Sequence, residues 1–150
     1  MRHFPLDSFR RGDRPRSILD STDGCCAADA RPRASHFSPR LRNGIAVHSV
    51  DLAHLKAGQT VAVLGAGPIG LLIAAVARAA GAGEIFVTDP LAYRRQFALD
   101  HVADAALDPG DTDVAAEILR LTGGRGVDVA FEAAGAADTP QQAMDVACIG

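Results

Sequence analysis

The sequence predicts an α/β fold in which helices cover both faces of a parallel sheet. Three observations carry this expectation. Short apolar runs alternate with helix-length segments from residue 43 to residue 150. The first of those runs ends in a glycine turn and restarts at once as a helix. The composition, with no Trp, one Tyr and abundant Ala, suits close helix–sheet packing better than an aromatic binding platform.

The elements follow in order. Asn43–Leu55 reads as one amphipathic helix, with Asn43 as its cap and Ile45, Val47, Val50, Leu52 and Leu55 as apolar surface. His48 and His54 fall on it as packing or surface residues, since no second metal ligand stands at a suitable spacing. Thr60–Leu64 is almost continuously apolar, as a strand buried on both faces requires. Helix Ile69–Ala80 is apolar around nearly its whole circumference, with Arg78 its one polar residue, and Gly81 and Gly83 end it. Such a helix needs cover on all sides; one face goes to the sheet, and the outer side calls for a partner that this chain need not contain. Glu84–Thr88 is a second strand, and Tyr93–Leu99 a short helix with Arg94 and Arg95 on its exposed side. Ala105–Leu107 is the third strand and Asp113–Leu121 an amphipathic helix built on Val114, Ile118 and Leu121. Val127–Phe131 is the fourth strand, and Gln141–Ala147 opens another helix.

The glycine turn is the most informative stretch. Thr60–Gly70 reads T-V-A-V-L-G-A-G-P-I-G, a G-x-G-x-x-G pattern placed between a strand and a helix. Gly65 permits the tight turn, Gly67 lets the backbone approach a pyrophosphate, and Gly70 lets the helix press on the strand. The helix start adds bare N–H groups and a positive dipole end. Asp89 stands nineteen residues past Gly70, at the end of the second strand, where an acid accepts hydrogen bonds from the adenosine ribose. Its charge repels a 2′-phosphate, so NAD is expected rather than NADP. The competing role for an isolated Asp there is to cap the next helix. Glu132-Ala133-Ala134-Gly135 supplies small residues where a second loop can approach a ligand. With strands in the order 3-2-1-4 these three features converge at the switch point of a Rossmann-type sheet.

The motifs V-A-V-L-G-A-G-P-I-G-L-L, T-D-P-L-A-Y-R and L-T-G-G-R-G-V-D-V-A-F-E-A-A-G, with the helix over Gly44–Leu55, resemble the coenzyme domain of zinc-type medium-chain dehydrogenases. The sorbitol (polyol) and threonine dehydrogenase branch is the nearest in pattern, and the resemblance spans residues 43–150. It implies that Gly67, Pro68 and Ile69 touch the pyrophosphate and ribose, that Asp89 holds the adenosine ribose, and that Arg94 lines the adenine side. In the full family, zinc polarises an alcohol and hydride passes to the nicotinamide. The family's amino-terminal domain brings a Cys ligand and a Gly-His-Glu motif, neither of which is present in residues 1–42. Pro39-Arg40-Leu41-Arg42 also replaces the usual Glu-Pro-Leu. Cys25, Cys26 and His36 match no catalytic zinc spacing. A partial NAD-binding domain over residues 43–150, with no catalytic residue and no metal site of its own, is therefore expected. A non-catalytic NAD-sensing module is the main alternative, and an S-adenosylmethionine or nucleotide-sugar site a lesser one.

Composition bounds the rest. The net charge is −3, with nine Arg and five Asp in residues 1–42 and a strongly acidic remainder, which argues against nucleic acid as the main partner. Residues 1–42 read as a disordered leader, broken by Pro5, Pro15, Pro32 and Pro39. Three cysteines write neither a disulfide framework nor a zinc knuckle. No apolar run is long enough to span a bilayer and the first thirty residues lack a signal-type apolar core, so a cytoplasmic location is expected. The fourth strand is expected to leave an apolar edge, a place for self-association.

Overall fold

A computed structural model describes residues 39–148. The expected leader, and Cys25, Cys26 and His36 with it, lie outside the described residues. The elements run α1 (Pro39–Leu52), β1 (Val61–Leu64), α2 (Pro68–Ala79), β2 (Ile85–Thr88), α3 (Ala92–His101), β3 (Ala105–Leu107), α4 (Val114–Leu121), β4 (Val129–Glu132) and α5 (Thr139–Val146). The four strands form a parallel sheet in the order β3-β2-β1-β4, as the sequence predicts. Every residue of β1 and β2 is buried, and all but Thr88 are apolar.

Strand alternation divides the core in two. Val61 and Val63 with Ile85 and Val87 point to one face, where Ala46 and Val50 of α1, Ile73, Ala74 and Ala77 of α2 and Ala98 of α3 cover them. Ala62, Leu64 and Phe86 point to the other, against Val114 and Ile118 of α4 and Val146 of α5. Burying a side chain such as Ile73 or Ile118 stabilises the domain by roughly 1.5–3 kcal/mol. Helix α2 opens with Pro68 after Gly67 and closes in a Schellman turn. There Gly81 takes φ +97° and the Ala82 N–H donates to the Ala77 carbonyl at 3.0 Å.

Several boundaries and one environment differ from the sequence reading. Helix α1 begins at Pro39, so Asn43 is inside the helix and does not cap it, and the helix stops at Leu52 rather than Leu55. The outer side of α2 has its partner in this same chain, because α1 lays Ala46 and Val50 against it. Helix α3 is a turn longer than expected and α5 starts two residues earlier. Strand β4 starts at Val129 instead of Val127. The reason is that Val127 pairs outward, accepting the Cys148 N–H at 2.8 Å and donating to Val146 O at 2.9 Å. Asp128 then closes the entrance of the β1–β4 ladder, its carboxylate accepting the Thr60 N–H at 2.7 Å and the Thr60 hydroxyl at 2.8 Å. Those two bonds, the backbone one foremost, hold the Asp128 carboxyl below the ordinary carboxylate range. Among the described residues no helix is long and apolar enough to cross a membrane.

Candidate functional site

Three loops meet where β1, β2 and β4 end. The β1 loop begins as the Gly65 N–H donates to Thr88 O at 2.8 Å, with Gly65 at φ +107°. A Cβ on Gly65 would stand 2.7 Å from the Ala134 nitrogen, so the first and second loops are in contact only because residue 65 is glycine. A Cβ on Gly70 would collide with the Gly65 carbonyl oxygen, so this glycine lets α2 close onto the turn. Gly67 is different. Its backbone is ordinary extended (φ −70°, ψ 177°), and a Cβ there would meet nothing within 4 Å. The folded chain itself has no need of a glycine at 67; what the missing side chain leaves free is space in a cleft.

That cleft has a volume of about 310 Å³ and opens along the strand ends. Of the predicted residues it brings together Gly65, Gly67, Asp89, Arg94 and Ala133. Pro68, Ile69 and Gly70 form the first turn of α2 behind the lining, and Gly135 sits in the second loop beside it. No side chain caps α2. Among the described residues no partner receives the N–H of Gly67, Ile69 or Gly70, so these donors remain for a ligand.

Asp89 is 3% exposed, and its carboxylate is already engaged. Oδ2 accepts the Ala66 N–H at 3.0 Å, and Oδ1 accepts the Leu91 N–H at 2.8 Å. It does not cap α3, whose start carries no side-chain cap; it braces the glycine turn and the turn that leads into α3 while lining the cleft. Arg94 Nη1 lies 3.4 Å from Asp89 Oδ2, and its guanidinium stands 5.7 Å from the centre of the Tyr93 ring. Hydrogen bonding to the Tyr93 hydroxyl, then to Asp89, raises the Arg94 pKa above the ordinary arginine value. Arg95 does not point freely into solvent as the sequence suggested; it donates to Asp89 O at 2.7 Å and pairs with Asp108 at 2.7 Å. Both arginines fold back because the carboxylate and carbonyls at the strand ends lie within their reach.

Sequence reasoning missed the residues that shape the far wall. Asp138, Thr139 and Gln142, at the start of α5, line the cleft together with Pro109 beyond β3. Glu132, read only as part of a small-residue loop, ends β4 and folds that loop around its carboxylate. Oε1 accepts the N–H of Ala134 at 2.9 Å and of Gly135 at 2.7 Å, and the Thr139 hydroxyl at 2.8 Å. The Gly135 bond above all holds the Glu132 carboxyl below the ordinary range. The available signal was an acid at a strand end followed by small residues and a hydroxyl seven positions on. Among the described residues no three His, Cys, Asp or Glu side chains come together to hold a metal ion.

The model of the zinc-binding dehydrogenase family matches residues 68–150, more than half of the chain. The chain belongs to the zinc-binding dehydrogenase family. Over 103 residues it is 43% identical to 2-dehydro-3-deoxy-L-galactonate 5-dehydrogenase of Pseudoalteromonas atlantica, covering 69% of this chain and 30% of that protein. It is 43% identical over 101 residues to L-threonine 3-dehydrogenase of Pyrococcus furiosus, covering 67% of this chain and 29% of that one. Among solved structures it resembles a zinc-binding dehydrogenase of Sinorhizobium meliloti bound to NADP. That match has a TM-score of 0.70 and 40% identity, and covers 73% of this chain and 32% of the other. The described part of the chain is thus the family's NAD(P)-binding domain, and the chain spans about 30% of the length of these relatives. Both curated relatives are dehydrogenases, which lends no support to a sensing module without chemistry.

Proposed function

We propose that this chain provides the coenzyme-binding part of an NAD-dependent, zinc-type alcohol or polyol dehydrogenase located in the cytoplasm. Gly67 carries the reading, because its missing Cβ opens the cleft and serves no contact within the fold. The pyrophosphate of a dinucleotide fits beside it, against the free N–H groups of Gly67, Ile69 and Gly70 and the positive end of α2. Pro68 sets the first turn that aims those groups. Asp89 keeps lone pairs for the adenosine ribose after its two backbone bonds, and Arg94, with Ala133 and Gly135 opposite, borders the adenosine side. When bound, the nicotinamide supplies the hydride chemistry, and this chain binds and orients its adenosine half. The described residues do not fit zinc, so no step is assigned to a metal on them.

The preference for NAD rests on charge. A 2′-phosphate beside Asp89 would meet a buried carboxylate, while Arg94 is engaged by Asp89 and Tyr93, and Arg95 by Asp108. Calorimetric titration of the full chain with NAD, NADP and ADP-ribose tests the proposal. NAD is expected to bind at least about tenfold more tightly than NADP, a difference of about 1.4 kcal/mol. Equal affinities would remove the preference, and no binding of any of the three would remove the coenzyme reading.

A further inference from the structure

The wall of the cleft formed by residues 133–138 belongs to no helix or strand, yet it must hold its shape. One side chain grips it. Glu132 Oε1 takes two consecutive amides, Ala134 and Gly135, and the hydroxyl of Thr139 at the first position of α5. Gly135, at φ +69°, lets the backbone curl around that single oxygen. The Ala134 nitrogen held in this way is also the atom against which Gly65 packs. A continuous line of contact therefore runs from Glu132 through Ala134 to the turn that carries Gly67. Ala133, Ala134 and Thr139 all line the cleft, whereas Glu132 does not.

We propose that Glu132 is a positioning residue for the coenzyme: its carboxylate sets the second loop against the glycine turn and so fixes the width of the cleft without touching the ligand. This inference rests on the coenzyme reading above. A turn cap of purely local importance would alter stability alone. A positioning role alters coenzyme affinity, and does so through the amides it holds.

The test titrates the full chain and four variants with NAD, and follows the amide resonances of Gly65, Ala134 and Gly135. Glu132→Ala is expected to weaken NAD binding about tenfold or more, since three hydrogen bonds are lost together, and to shift all three resonances. Glu132→Gln keeps an acceptor oxygen at the same place and is expected to restore most of the affinity. Thr139→Val, which removes one of the three donors, should give a loss smaller than that of Glu132→Ala. Glu117→Gln, which changes a half-buried acid paired with Arg120 on α4, away from the cleft, should bind as the parent does. Unchanged affinity in Glu132→Ala, or a loss that Glu132→Gln does not relieve, overturns the proposal. Should Glu132→Ala fail to fold, parent-like affinity in Thr139→Val with unshifted Ala134 and Gly135 resonances overturns it instead. Failure of the parent chain to bind NAD is a separate result: it removes the coenzyme reading itself before any variant is compared.

Discussion

Two glycines three residues apart in the same turn are expected to respond to one added methyl group in opposite ways. At Gly70 an alanine Cβ falls on the Gly65 carbonyl oxygen, 3.0 Å from the Gly65 carbonyl carbon and 3.3 Å from Val63 Cγ1. Two of those neighbours are backbone atoms of the turn, which cannot swing aside like the end of a side chain. Relief requires α2 to move off the sheet, and overpacking of this kind costs roughly 1–3 kcal/mol, occasionally more. For a domain of this size that corresponds to a melting temperature lower by about 5–20 °C. At Gly67 the same methyl meets no atom within 4 Å on a backbone that any residue adopts. A small gain from a stiffer unfolded chain, about 0.4–1 kcal/mol, is set against the poorer capping of alanine at a helix start. The net change in stability is therefore within about 1 kcal/mol of zero. Coenzyme affinity falls instead, by at least about tenfold, because the methyl occupies the space assigned to the pyrophosphate. Thermal melting and NAD titration of Gly67→Ala and Gly70→Ala separate the two effects. If Gly67→Ala melts below Gly70→Ala, or binds NAD like the parent, the reasoning from empty space at residue 67 fails.

Other outcomes follow from the same geometry. Asp89→Ala leaves the Ala66 and Leu91 amides without their acceptor, so a stability loss of about 1–3 kcal/mol should accompany the loss of NAD preference. Parent-like urea unfolding of that variant would show that the brace is not formed. Asp128→Asn keeps an acceptor for Thr60 but removes its charge, and should cost on the order of 1 kcal/mol at neutral pH. Because the folded-state pKa of Asp128 is depressed, its contribution is present above the unfolded value of about 3.9 and is lost as pH falls through the folded value. The gap between parent and variant in urea midpoint should accordingly shrink from pH 7 towards pH 3, and a constant gap would contradict the assignment.

How much of this was legible in the sequence depends on the range of the interaction. Val61–Leu64 and Ile85–Val87 announce a doubly covered parallel sheet because a strand buried on both faces reads as a near-continuous apolar run. Gly65 and Gly70 announce a tight turn because only glycine tolerates the left-handed backbone of the one and the close approach of the other. Those are local requirements, met by residue type, and the alternation of strands and helices after the glycine turn adds the strand order. The roles of Asp89, Arg95, Glu132 and Asp128 were not legible in the same way. Asp89 reaches an amide 23 residues away, and Asp128 reaches Thr60 across 68 residues. Nothing in the neighbourhood of either acid specifies such a partner. Likewise the apolar outer side of α2 stated a need for cover, and only the packed chain decided that α1 meets it. The sequence by itself determined the sheet, the glycine turn and the family. The tertiary structure decided which carboxylates brace the cleft, since a hydrogen bond forms where folding brings donor and acceptor within about 3 Å, whatever their separation along the chain.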